Sequence, residues 1–127
     1  MRLLITGASG YIGSNLLAKI PADWEVYTFG LDEPTVDSPV AYKFIKGNIM
    51  NQDDLDSAFK DTDVVLHLAA IKGCDQCAGD YEKTIAVNIF GTRNVVRACR
   101  KNNVKKLVFT SSYWVYGTAH APPFTEE

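Results

Sequence analysis

The chain has few of the residues that mark specialised classes of protein. Cysteine occurs three times in 127 residues, as Cys74, Cys77 and Cys99. A sparse, odd-numbered set with no secretion signal argues against a disulfide framework. Histidine occurs twice, as His67 and His120, so the Cys74-Asp75-Gln76-Cys77 spacing has few partners for a four-ligand zinc site. That segment reads as small residues in a loop, and no metal is expected. There is no apolar run of 18 residues to cross a membrane, and the apolar N-terminal stretch stops at Thr6 without the core of a signal peptide. A cytoplasmic protein without membrane contact is expected. A net charge of −2 provides no basic surface for nucleic acid, and 46% apolar with 22% charged residues exclude a disordered composition. At 127 residues the chain can bury one core rather than two.

What is present begins at the N-terminus, where residues 1–13 read MRLLITGASGYIG. Leu3, Leu4 and Ile5 make a short apolar run of the kind that forms a strand buried on both faces of a parallel sheet. Gly7, Gly10 and Gly13 follow at three-residue intervals, and Ser14 to Ile20 read as a helix with Leu16, Leu17 and Ile20 on its apolar side. A strand passing through glycines into a helix N-terminus brings backbone N–H groups and the positive end of the helix dipole to a pyrophosphate. Glycine loops also serve as plain turns, but a strand before and a helix after are the context a dinucleotide site requires.

Strands and helices then alternate. Glu25 to Phe29 reads as a second strand closed by Gly30-Leu31-Asp32, and Ala41 to Ile45 as a third followed by Gly47-Asn48-Ile49. Asp63 to Leu68 reads as a fourth and Val104 to Thr110 as a fifth. Asn51 reads as the N-cap of a crossover helix with Asp53 and Asp54 in its first turn and Leu55, Ala58 and Phe59 on its apolar face. Residues 33–40, with Pro34 and Pro39, and residues 71–79 read as loops. One long helix is expected from Asp80 to about Asn102, with Tyr81, Ile85, Ile89, Thr92, Val96 and Cys99 recurring at helical spacing. Gly91 inside it costs about 1 kcal/mol against alanine, which implies a close neighbour. The expected fold is α/β, a Rossmann-like doubly wound parallel sheet of five strands. In such folds an acid about 20 positions beyond the glycines accepts hydrogen bonds from an adenosine ribose. Asp32 lies 19 residues after Gly13, with Glu33 as the alternative, on the assumption that the second strand runs slightly longer.

The G-x-x-G-x-x-G spacing differs from the G-x-G-x-x-G dehydrogenase fingerprint and resembles the T-G-x-x-G-x-x-G of the short-chain dehydrogenase/reductase superfamily. The fuller GASGYIGSNL resembles its extended branch, which includes the nucleotide-sugar epimerases and dehydratases. VNIFGTRNV at 87–95 is similar to that branch's V-N-x-x-G-T-x-N-V, and SSYWVYG at 111–117 to its S-S-x-x-V-Y-G. The resemblance implies NAD as cofactor, held by Gly7, Gly10, Tyr11, Ile12 and Gly13, with Asp32 at the ribose and Asn48 and Ile49 at the adenine. Asn48 stands where the family usually has an acid, and its amide oxygen can accept from the adenine amino group. Leu68, Ala69 and Ala70 would let the backbone approach the cofactor, Lys72 would reach a phosphate or carboxylate, and Asn88 would bridge the long helix to the active-site backbone. Thr110 and Ser111, at the end of the fifth strand, would also contact the cofactor, beside Ser112, the catalytic serine. His67 reads as a core histidine rather than a catalyst.

The family's acid/base pair, a helical Y-x-x-x-K, has no counterpart. Tyr42 and Lys46 have the spacing but fall on a predicted strand, where four residues span about 13 Å at roughly 3.3 Å each. The family's motif would fall beyond Glu127, and the ending PPFTEE at 122–127 resembles a mid-domain loop. The resemblance therefore implies that residues 1–127 are the N-terminal, cofactor-binding part of an NAD-dependent nucleotide-sugar epimerase or dehydratase. That part would be incomplete relative to the full domain, inactive alone, and prone to dimerise or associate through an unfinished sheet edge at the fifth strand. Two alternatives stay open: a non-catalytic dinucleotide-binding sensor module, and a reductase of the same branch acting on a non-sugar ketone. Because Asp32 would repel a 2′-phosphate, NADH should bind more tightly than NADPH in fluorescence titrations. Equal affinities would remove Asp32 from the ribose site.

Overall fold

The computed structural model describes residues 1–117. Strands β1 (Arg2–Thr6), β2 (Glu25–Gly30), β3 (Tyr42–Lys46), β4 (Val64–His67) and β5 (Lys106–Phe109) form one parallel sheet in the order β3-β2-β1-β4-β5. The chain winds from β1 outward to β3, then crosses back to place β4 on the far side of β1. At that reversal the connections leave the sheet in opposite directions, and a crevice opens outside the carboxyl ends of β1 and β4.

Alternation along the strands assigns the two faces. Leu3 is in register with Val26 and Val64, and Leu4 with Tyr27 and Val65. Leu3, Ile5 and Val26 pack with Leu17 of α1 (Tyr11–Leu17) and with Ile20 beyond it. On the other face Leu4, Phe29 and Val65 pack with Leu55 and Ala58 of α2 (Gln52–Ala58) and with Val95, Ala98 and Cys99 of α5 (Thr92–Lys101). Helices thus cover both faces, as a doubly wound sheet requires. The Phe29 and Phe59 rings meet edge to face, 6.5 Å apart at 86°.

Several elements differ from expectation, each for a local reason. Helix α1 begins at Tyr11 rather than Ser14, because extended Gly10 (φ −76°, ψ 171°) serves as its N-cap and the helix starts inside the glycine segment. Residues 71–79, expected as a loop, contain α3 (Cys74–Gly79), which starts where Gly73 takes a φ of 91° and turns the chain. The single helix expected from Asp80 is interrupted. Helix α4 (Tyr81–Ile85) passes into a π turn at Ala86–Gly91 before α5 resumes. The wider turn lies where Gly91 meets Ile49 so closely that a Cβ would stand 2.6 Å from Ile49 Cδ1. Tyr42 and Lys46 are the two ends of β3, so they cannot form a helical pair.

Among the described residues β5 pairs with β4 alone, and its Val108 and Phe109 are 39% and 55% exposed. The segment 122–127 and His120 lie outside the described residues. The expected cap of α2 is formed: Asn51 Oδ1 accepts from the Asp53 and Asp54 N–H groups at 3.0 and 3.4 Å. Replacing Asn51 with alanine should therefore cost about 1 kcal/mol in urea unfolding, while Asn51→Asp should cost far less.

Candidate functional site

The carboxyl ends of all five parallel strands open on one edge of the sheet, and the glycine segment lies at its centre. Gly7 N–H donates to Phe29 O at 3.1 Å, Gly10 N–H to Gly7 O at 3.1 Å, and Ser14 N–H to Gly10 O at 2.9 Å. Gly7 has a φ of +71°, and a Cβ there would lie 2.7 Å from Ala69 Cα and N. The position thus excludes side chains twice, by backbone conformation and by space. Gly13 packs α1 onto the loop, where a Cβ would lie 2.5 Å from Ala8 Cα. Tyr11 and Ile12, in the first turn, are 76% and 56% exposed. The opening N–H groups of a helix have no intrahelical acceptor, so they remain available to an anion at this edge.

Beyond β4 the chain stays close to β1. Leu68 N–H donates to Thr6 O at 3.1 Å and Ala69 N–H to Thr6 Oγ1 at 3.4 Å. The same hydroxyl meets His67 Nδ1 at 2.7 Å, and His67 Nε2 meets Thr92 Oγ1 at 3.0 Å. His67 is 1% exposed and stacks on Phe109 at 5.8 Å between centroids. Burial pushes its pKa down to about 4, so at neutral pH the ring is uncharged, with one nitrogen donating and the other accepting. The unfolded chain takes up a proton near the ordinary value of 6.5 and the folded chain only near 4, so this contribution to stability is lost as pH falls through that window.

Two asparagines fasten the helical segment to the ligand edge. Asn88 Nδ2 donates to Ile71 O and Asn88 Oδ1 accepts from Ile71 N–H, both at 2.8 Å. Asn94, 7% exposed, donates from Nδ2 to Ile49 O at 3.2 Å and Met50 O at 3.3 Å. Asn94, Thr6 and Thr92 carry no role in the sequence pattern. The signal available for Asn94 and Thr92 is their place in the 87–95 motif.

The remaining candidates lie around this core. β2 ends at Gly30, whose carbonyl accepts from Gly47 N–H at 2.9 Å as the last rung to β3. The assumed extension of that strand to Asp32 therefore does not occur, and Asp32 stands exposed two residues past its end. Asn48 is exposed, and its Oδ1 already accepts from Met50 N–H at 2.9 Å, which occupies one of the two lone pairs considered for adenine. Ile49 is 6% exposed, with its side chain in the core beneath Gly91. Leu68, Ala69 and Ala70 follow β4 beside Gly7, and Lys72 is exposed in the next loop. Thr110 Oγ1 donates to His67 O at 3.4 Å. Ser111 and Ser112 are exposed, and the Ser112 carbonyl accepts from Val115 N–H at 3.1 Å at the start of a 3-10 turn, Tyr113–Tyr116. Cys77 Sγ points to Ile71 O at 3.8 Å.

A family model described as the NAD dependent epimerase/dehydratase family matches residues 3–127. The chain belongs to this family. It is 33% identical over 132 residues to an uncharacterised UDP-glucose epimerase, YtcB, of Bacillus subtilis, covering 92% of this chain and 42% of that protein. Among solved structures, a UDP-glucose-4-epimerase from Stenotrophomonas maltophila with bound NAD and formylated UDP-arabinopyranose superposes with a TM-score of 0.86 at 26% identity, covering 99% of this chain and 41% of that one. A dTDP-glucose 4,6-dehydratase from Streptomyces venezuelae with NAD bound gives 0.83 at 26% identity, covering 99% and 44%. The chain therefore spans about two fifths of the length of these epimerases and dehydratases.

In this member of the epimerase/dehydratase family the Gly7–Ala69 contact leaves no room for a methyl group. Gly7→Ala should weaken NAD binding at least tenfold, about 1.4 kcal/mol, in a fluorescence titration. Gly10→Ala meets only the Gly7 carbonyl, at 3.3 Å, and should lose less.

Proposed function

We propose that this chain is the cofactor-binding N-terminal part of an NAD-dependent nucleotide-sugar epimerase or dehydratase, and that NAD lies across the carboxyl ends of β1, β2 and β4. The observation that carries the reading is the cradle at the strand-order reversal, where Gly7 at a φ of +71° comes within contact of Ala69. Such a cradle fits a dinucleotide, because bare backbone can approach the pyrophosphate from both sides. In this reading Tyr11, Ile12 and Gly13 supply N–H groups to the phosphates and Asp32 binds the adenine-side ribose. Asn48 meets the adenine, with Ile49 supporting that edge from the core. Leu68, Ala69 and Ala70 form the opposite wall, and Lys72 adds a positive charge at the rim.

Bound NAD supplies reversible hydride transfer at a sugar carbon. The chain's own contribution is to orient. Ser112, just past β5, hydrogen-bonds the hydroxyl of the reacting carbon, with Thr110 and Ser111 setting the path of the backbone that presents it. Asn88 holds the Ile71 backbone at the mouth of the same cleft. The proton acceptor such chemistry needs is not among these residues, since the one Y-x-x-x-K spacing is locked into β3. Further chain would complete the substrate side, in keeping with the share of its relatives' length that this chain spans.

No helix among the described residues is long and apolar enough to cross a membrane, and a cytoplasmic setting suits a nucleotide-sugar substrate. The exposed edge of β5, with Val108 and Phe109, is proposed as a surface through which two copies associate. The chain should bind NAD yet give no turnover with UDP-glucose or dTDP-glucose, and should elute as a dimer in size-exclusion chromatography. Failure to bind NAD would overturn the cofactor assignment, turnover would overturn the incompleteness, and a clean monomer without hydrophobic-dye binding would overturn the association.

A further inference from the structure

His67 is buried, bonded at both ring nitrogens, and outside the chemistry just described. We infer that it is a positioning residue, a neutral strut that fixes the crossing of the glycine segment over the end of β4 and ties to it the helix holding the neighbouring loops. On one side it meets the Thr6 hydroxyl at 2.7 Å, and that hydroxyl also receives Ala69 N–H, from the residue against which Gly7 packs. On the other side it meets Thr92 Oγ1 at 3.0 Å. Thr92 is the first residue after the π turn. Four residues before it Asn88 grips both backbone groups of Ile71, and two residues after it Asn94 grips the carbonyls of Ile49 and Met50.

A hydrogen-bonded path therefore runs from the end of β1, through the imidazole, into the helix and out to the loops that follow β3 and β4. An apolar side chain would fill the same volume without the desolvation cost of two ring nitrogens. What the imidazole adds is direction. Each of its bonds fixes a distance between elements that van der Waals contact alone would leave free to slide.

The inference rests on the NAD reading for its consequence, though not for its geometry, so its test has two readouts. Thr92→Val removes the hydroxyl at nearly constant volume, and Thr92→Ser restores it. Amide hydrogen exchange at Ala69 and Ile71 should accelerate in the valine variant and return toward wild type in the serine variant. NAD affinity should fall roughly three- to tenfold in the first and recover in the second. Unchanged exchange at both amides, or equal behaviour of valine and serine, would overturn the inference. A wild-type chain that does not bind NAD would overturn the cofactor reading, while exchange would still decide the strut. Should Thr92→Val fail to fold, Thr6→Val against Thr6→Ser reads the same path from its other end, at the Ile71 amide alone because Thr6 Oγ1 itself accepts Ala69 N–H.

Discussion

The ligand side of this molecule depends on two backbones that touch. β1 and β4 run in register from Leu3 with Val64 to Thr6 with His67, and just past that last pair the chains must separate, one into α1 and one toward α3. They do so at contact distance, because Gly7 has no side chain and a Cβ there would strike Ala69. Thr6 seals the junction from inside the sheet, its carbonyl and hydroxyl both engaged by the segment after β4. The crevice is thus a by-product of sheet topology, and the glycine is what keeps its floor bare.

Around that junction the packing is unequal. The α2 and α5 face buries three aromatic rings, of Tyr27, Phe29 and Phe59, with Leu4, Leu55, Val65 and Val95, each fully buried aliphatic being worth about 1.5–3 kcal/mol. The α1 face relies on smaller contacts made by Leu3, Ile5, Val26, Leu17 and Ile20. The α5 face also carries the polar fastenings made by His67, Asn88 and Asn94. On the other side of the sheet, Tyr11 and Ile12 in the first turn of the glycine helix stand exposed.

Much of this was legible in the residues because it is locally determined. Leu3-Leu4-Ile5, the glycine turn into a helix and the Asn51 cap each act within a few positions; β1 and the cap formed where expected, and the helix began three residues early, at Tyr11. Of the two carboxyamides of the 87–95 motif, Asn88 is read from the sequence as a bridge to backbone and makes one at Ile71, whereas Asn94 was less legible. Asn94 looks like any polar residue on a helix until the loop after β3 folds beneath it. The π turn likewise ends at a tertiary contact, where Gly91 meets Ile49 from a segment far away in the chain. The end of β2 shows the opposite case: spacing from the glycines to Asp32 is a count along the chain, whereas the strand stops where its ladder to β3 stops, at Gly30, and not nearer Asp32.

The two asparagine clamps hold main-chain atoms, and main-chain atoms are common to nearly every residue type. The side chains at 50 and 71 can therefore change without breaking either clamp, with one exception: proline at 71 would remove the N–H that Asn88 Oδ1 accepts. Scaffold and recognition are in this way written in separate alphabets. Side chains along this edge are free to vary while the backbone beneath them stays in place.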